Sequence, residues 1–324
     1  MWPRLTREGA TGSTGRGALR GNCGRGLRGR APAHSHASAS GAGVTTASRH
    51  AARRYTTRAV ASVVSIPTYC ATVHAMAMPF TVQVRLPPSQ RAATAAVDQL
   101  HRDLIWADEV FSLFKEDSQL SRLNRGELAI DECEPEVLEV LQTCEWYRSH
   151  TLGAFDARRS DHLDPTGIVK GWAVARAVDA LDQLRAAAWM VGAAGDVLVS
   201  GEGHVWTLGI ADPRVSGDPS AGPVIDVVAL GGKRRALATS GVAHHGRHIW
   251  DPATGEGAQH YLQVSVVGPD LVTADAWATA IAAGGDQVLA AALDAGLDVL
   301  VVTRDHGNGS FSTEASTGWP SVRH

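Results

Sequence analysis

Val224-Ile225-Asp226-Val227-Val228-Ala229-Leu230 and, after a short Gly-Gly-Lys-Arg break, Arg235-Ala236-Leu237-Ala238-Thr239 decide the fold class of this chain. Both runs are short, apolar and rich in β-branched or small residues, and the break between them leaves no room for a helix. Asp196 to Ser200, Val205 to Ile210 and Leu262 to Val267 read the same way, so the second half is strand-rich. Two Ala-rich helices follow from about Thr273 and Asp286, and the apolar run Asp298 to Thr303 is expected to close the domain. Strands and helices are partly segregated instead of alternating. That predicts an α+β fold of mostly antiparallel sheets with packed helices, not a doubly wound sheet.

The first half supplies the helices. Phe80 to Leu86 alternates as a half-buried strand should. Val97, Leu100, Leu104, Ala107 and Phe111 then recur at helical spacing, with Ser89 as N-cap after Pro87-Pro88. A second helix is expected from about Pro135, with Val137, Leu138, Leu141 and Cys144 on one side. A third begins near Ile168 and carries Ala173, Ala177, Val178 and Leu181. No internal repeat stands out.

At 324 residues with 44% hydrophobic and 19% charged residues, the composition is that of a globular protein. The net charge of -3 conceals an asymmetry. The first 75 residues hold eleven Arg, no Lys and the single acid Glu8, leaving an acidic body that gives no reason to expect a nucleic-acid partner. Residues 1–71 lack hydrophobic periodicity and read as a disordered basic extension, fitting either an organelle transit peptide or an over-extended start. The domain proper is expected over 72–319, with 320–324 as a tail. No apolar run approaches the length of a membrane span. Without a clear export signal a cytoplasmic location is expected, the alternative being the outer face of the cytoplasmic membrane. Cys23, Cys70, Cys133 and Cys144 form no recurring spacing and read as buried or free thiols.

Four stretches could carry chemistry, and each also has a bland reading. Asp275 and Thr279 are i and i+4 on a helix, so two hard oxygen donors share a face and suit Mg²⁺. The same pair also reads as an Asp favoured in a first helical turn beside an incidental Thr. Leu163-Asp164-Pro165-Thr166-Gly167-Ile168-Val169-Lys170-Gly171-Trp172 runs from a turn into a helix. That is an anion site of the phosphate-binding kind with Lys170 as a point charge, or simply a Pro-Thr-Gly turn. Ala238-Thr239-Ser240-Gly241 ends a strand in small polar residues, and Arg247 through Gly255 places His248 and Asp251 around an Ile-Trp pair. His248 could serve as a general base, or be structural. Phe111-Ser112-Leu113-Phe114 leads into Asp117-Ser118 and Ser121-Arg122-Leu123-Asn124, where the aromatic could cover a flat ring, although core packing is the better reading.

Taken in order, Met76-Ala77-Met78, Ser112-Leu113-Phe114 with Asp117-Ser118 and Ser121 to Asn124, Gly153-Ala154-Phe155-Asp156, Asp164 through Gly171, Gly195-Asp196, Thr239-Ser240-Gly241, His248 through Gly255, and Ala274-Asp275 with Ala278-Thr279 resemble the ApbE-type FAD:protein FMN transferases. The resemblance implies a T-fold-like flavin transferase domain with FAD as substrate and Mg²⁺ held by the Val169 carbonyl, Asp275 and Thr279. It implies flavin or nucleotide contacts from Met76, Phe114, Ala154, Phe155, Asp156, Thr166, Lys170, Thr239, Ser240 and Gly241. His248 takes the place of the family's candidate base, Asp251 is a second choice, and Lys170 would stabilise phosphate oxygens. The implied partner is an acceptor flavoprotein bearing a Ser/Thr flavinylation motif. Ala77 and Ala194 stand where Gly is usual, Phe114 where an aromatic with a hydroxyl is common, and Pro165-Thr166-Gly167 differs from the commoner Leu-Gly-Gly or Leu-Ser-Ser. A Mg²⁺-dependent FAD pyrophosphatase and a non-enzymatic flavin-binding protein are the competing readings.

Overall fold

The computed structural model describes residues 66–159, 162–214, 222–241, 249–304 and 311–322. An eight-stranded antiparallel sheet organises them in the order β1-β2-β5-β6-β9-β10-β11-β12. Its strands are β1 (Thr68–Ala75), β2 (Met78–Arg85), β5 (Ala188–Ala193), β6 (Asp196–Val199), β9 (Ala236–Gly241), β10 (Gln263–Gly268), β11 (Asp298–Arg304) and β12 (Phe311–Ala315). Two further pairs stand apart, β3 (Arg158–Arg159) with β4 (His162–Leu163) and β7 (Trp206–Ala211) with β8 (Val224–Leu230). The helices are α1 (Gln90–Phe111), α2 (Gln119–Asn124), α3 (Pro135–His150), α4 (Thr166–Ala177), α5 (Asp179–Asp182), α6 (Leu271–Gly284) and α7 (Asp286–Asp294). The α+β architecture is the one expected.

One face of the sheet carries the helices. α1 packs on β1, α6 packs on β9 and β10, and α4 lies between α1 and α6. Ser89 caps α1 by accepting from the Ala92 N–H at 3.1 Å, worth about 1 kcal/mol at such a position. Val97, Leu100, Leu104, Ala107 and Phe111 are all buried on this side, with Val82, Val191, Leu198, Ala238, Val264 and Val266 from the sheet. The other face is covered by the β7–β8 pair. Ala188, Met190, Val199, Leu237 and Val267 point that way and meet Trp206, Ile210, Val228 and Leu230. The central strands are therefore buried on both faces, as their near-continuous apolar runs require.

Several expectations shift. β1 begins at Thr68, inside the segment 1–71 assigned to the basic extension, and its remainder to residue 65 lies outside the described residues. At the other end Ser321 bridges Val228 and the Val322 N–H donates to the Val227 carbonyl at 2.8 Å, so 320–322 belong to the back layer. β11 is not the last strand, because β12 pairs beyond it. On α3 the buried face is Val137, Val140, Cys144 and Tyr147, whereas Leu138 is exposed. Cys133 and Cys144 are free thiols as expected, whereas Cys70 is disulfide-bonded. No described helix is long and apolar enough to cross a membrane.

Candidate active site

Two glycines bring the site together. An added Cβ at Gly167 would lie 2.9 Å from Phe155 Cε2 and 3.2 Å from Thr279 Cγ2. At Gly171 it would lie 2.9 Å from the Leu271 carbonyl oxygen and 3.3 Å from Asp275 Cβ. Gly167 and Gly171 are one helical turn apart on α4, and Leu271, Asp275 and Thr279 are successive turns on one face of α6. With no side chain on α4 at these points the two backbones approach closely. The Gly171 N–H then donates to Asp275 Oδ2 at 3.2 Å. The shared face expected for Asp275 and Thr279 is thus the face turned to α4.

The sheet supplies the opposite wall. Along β9, Ala236 and Ala238 face the helices, so alternation turns Ser240 toward them too. Ser240 Oγ lies 3.3 Å from Thr279 Oγ1. Thr239 faces the other way, its hydroxyl 3.0 Å from Ser265 Oγ, so its side chain is turned from α4 and α6. Its N–H is what reaches the site, donating to Asp196 Oδ1 at 3.1 Å. Asp196 stands at the start of β6 on the same face as buried Leu198, and its Oδ2 lies 2.8 Å from Lys170 Nζ on α4. The contact is an ion pair without the alignment of a good hydrogen bond, and Oδ2 has no other partner among the described residues.

Three charges in this pocket set one another. Desolvation works against the Lys170 ammonium, but the carboxylates of Asp196 and Asp275 outweigh it and raise its pKa. Burial raises the Asp196 carboxyl against the pull of Lys170 and of the Thr239 N–H. Burial also pushes Asp275 up to about 7, with Asp196 adding to the rise and Lys170 opposing it. Asp275 is therefore a buried carboxylate short of positive charge.

The other sequence candidates distribute unevenly. Phe155 is buried against Gly167, and partly buried Ala154 packs against Gly284. Asp156 accepts from the Arg158 N–H at 2.8 Å, and the Thr166 hydroxyl and N–H both donate to Asp164 Oδ1. Val169 is buried on α4. Met76 and Ala77 form the two-residue loop between β1 and β2 with φ of 50° and 58°. Ala194 (φ 48°) and Gly195 (φ 94°) form the matching loop between β5 and β6. Both loops lie at the end of the sheet where β9 terminates at Gly241, because β2 pairs β5 and β6 pairs β9 antiparallel. The Phe114 ring is 95% exposed on the α1–α2 connection, which corrects the core-packing reading. Asp251 spends its carboxylate on its own turn, accepting from the Ala253 N–H at 2.8 Å and the Thr254 hydroxyl at 3.1 Å. His248 lies outside the described residues.

Sequence reasoning missed Asp196 as the partner of Lys170; its only signal was the Gly195-Asp196 pair at a turn. It also left Asn124 without a task. Asn124 Nδ2 donates to the Leu163 carbonyl at 2.9 Å and Oδ1 accepts from the Leu163 N–H at 2.8 Å. This pins the strand that feeds the α4 N-terminus.

Solved structures share this arrangement of elements. The flavin transferase ApbE from Vibrio cholerae matches with a TM-score of 0.65 at 20% identity, over 78% of this chain and 98% of that one. The flavinyl transferase ApbE of Pseudomonas stutzeri gives 0.64 at 20% identity over 79% and 96%. An ApbE protein from Thermotoga maritima gives 0.63 at 23% identity over 78% and 97%. At these identities the likeness establishes the fold. The FAD:protein FMN transferase of Haemophilus influenzae is 30% identical over 175 residues, which is 50% of this chain and 48% of that protein, so the match spans about half of the relative. A model of the ApbE family matches residues 76–159 and 157–301, taking in the two hairpin loops, the α4–α6 crossing and the polar end of β9. By that match over most of its length, the chain belongs to the ApbE family.

Proposed function

We propose that the chain is a Mg²⁺-dependent FAD:protein FMN transferase, which moves FMN from FAD to a Ser or Thr hydroxyl of an acceptor flavoprotein and releases AMP. The observation that carries this reading is the meeting of Lys170, Asp275, Thr279 and Ser240 where α4 crosses α6 beside the end of β9. The donor set fits Mg²⁺: a carboxylate and hydroxyls are hard oxygen ligands, and burial leaves Asp275 short of compensating charge.

Asp275, Thr279 and the Val169 carbonyl would hold the ion, which when bound would offset charge on the pyrophosphate and on the departing AMP. Lys170 supplies a fixed ammonium for phosphate oxygens, and the first turn of α4 adds backbone N–H groups. Phe114, whose side chain is exposed, would cover one face of a flavin. Met76, Ala154 to Asp156, Thr166 and the Thr239–Gly241 end of β9 would line the remainder. The acceptor oxygen forms a bond to the phosphorus on the FMN side, the P–O bond to AMP breaks, and His248 takes the hydroxyl proton. Asp251 is less suited to that task, since its carboxylate is already engaged.

The test is AMP release from FAD by the full chain, with Mg²⁺ or with EDTA, with and without a Ser/Thr-bearing acceptor protein. Mg²⁺-dependent AMP with FMN fixed on the acceptor is the expected result. AMP with only free FMN would make the chain a pyrophosphatase, and no AMP under any condition would leave a flavin binder.

A further inference from the structure

Lys170 sits between two buried carboxylates whose charges both act on it, yet it pairs directly with only one of them. The two carboxylates come from separate scaffolds, Asp196 from β6 and Asp275 from α6. Asp196 is itself fixed: it is 1% exposed, and Oδ1 accepts from the Thr239 N–H in the neighbouring strand. Its Oδ2 is aimed at α4 and has no partner among the described residues except the ammonium. Asp275 is held differently, by the Gly171 N–H beside Lys170 on the same helix. A lysine on a flexible stem next to Asp275 would bond to it readily if nothing else claimed the charge.

We propose that Asp196 is a positioning residue: it holds the Lys170 ammonium off Asp275, so that Asp275 keeps its carboxylate for a divalent cation. The same ion pair fixes the ammonium against the sheet, on the side where Ser240 and Thr279 meet. Without the Asp196 charge, Lys170 turns to Asp275 and competes with the cation for it. The inference rests on the cation site proposed above.

The test is Mn²⁺ binding to the full chain, followed by the loss of free-ion EPR signal, with Mg²⁺ as competitor and no turnover required. Asp196→Asn keeps an oxygen for the Thr239 N–H while removing the charge, and is expected to weaken binding by about 10- to 100-fold, as loss of a supporting residue around a metal site does. Asp196→Asn combined with Lys170→Gln removes the competitor and is expected to restore most of the affinity. Lys170→Gln alone, informative even if Asp196→Asn does not fold, is expected to bind at least as tightly as the unsubstituted chain. Unchanged binding in Asp196→Asn, no rescue in the double variant, or weaker binding in Lys170→Gln each overturns the proposal. Failure of the unsubstituted chain to bind Mn²⁺ sinks the cation site itself, a different outcome.

Discussion

Gly171→Ala is the sharpest test of the α4–α6 crossing, because two effects of known size oppose each other there. In an ordinary helix interior the change is favourable by about 1 kcal/mol. Here the new methyl would sit 2.9 Å from the Leu271 carbonyl oxygen, a backbone atom that cannot rotate away. Ordinary C···O approaches are about 3.3–3.6 Å, so the helices must part by roughly half an ångström. Overpacking of this kind costs about 1–3 kcal/mol. The Gly171 N–H to Asp275 Oδ2 bond, at 3.2 Å, stretches as well, and a bond to a charged group contributes about 1.5–3 kcal/mol. The net expectation is destabilisation by about 1–3 kcal/mol. At this size each 1 kcal/mol lowers Tm by about 2–4 °C, readable by calorimetry or urea unfolding. Cation affinity should fall in the same variant, since Asp275 moves with α6. A variant as stable as the parent, or more stable, would mean that the helices do not touch at Gly171 and that the site is not held by their crossing.

The remaining predictions concern turns, anchors and thiols. Ala77→Gly and Ala194→Gly replace residues held at positive φ in two-residue hairpin loops, and each should raise stability by about 0.5–1 kcal/mol in thermal melts. Asn124→Ala strands the Leu163 N–H and carbonyl and should cost about 1–3 kcal/mol, with faster hydrogen exchange at the Leu163 amide as the specific mark. Asp226→Ala removes the acceptor of Trp319 Nε1 and Ser321 Oγ, both at 2.7 Å; the Trp319 emission should shift red and protease should reach the C-terminal segment first. Burial pushes the Cys144 thiol up to about 12, so at pH 8 iodoacetamide should label Cys133 in the folded protein and spare Cys144 until the chain is unfolded.

Elements with one wet face were legible, because alternation or helical spacing marks them directly: β2, α1 and β8 lie where their patterns put them, whereas α4 stops at Ala177, so that Val178 caps it and Leu181, expected on the same helix, belongs to α5. β5 was not read, since Ala188–Ala193 is buried on both sides and carries no period. β12 fails for the opposite reason, as Phe311–Ala315 is mostly exposed and polar. On α3 two interleaved apolar rows compete, and the one containing Leu138 faces solvent. In the site, Asp275 and Thr279 were legible because i and i+4 share a helical face wherever the helix packs. The Lys170–Asp196 pair was not, because it joins a helix to a strand across an intervening segment, and only the register of β6 against β9 decides which way Asp196 points. Thr239 and Ser240 looked equivalent as letters, and strand alternation gives them opposite faces.

The back layer closes late. Asp226 lies on β8, but its bonds to Trp319 and Ser321 span 93 and 95 positions of chain. A ribosome adding about 5–20 residues per second leaves that carboxylate waiting roughly 5–20 s for those two partners. During that interval β7 and β8 can pair with each other, yet the edge of β8 that later receives Ser321 and Val322 stays open. An open edge of apolar strand invites pairing with other chains. A nascent molecule is therefore most exposed to aggregation after β8 has been made and before residues 319–322 arrive, and a truncation only slightly upstream of them would prolong that state indefinitely.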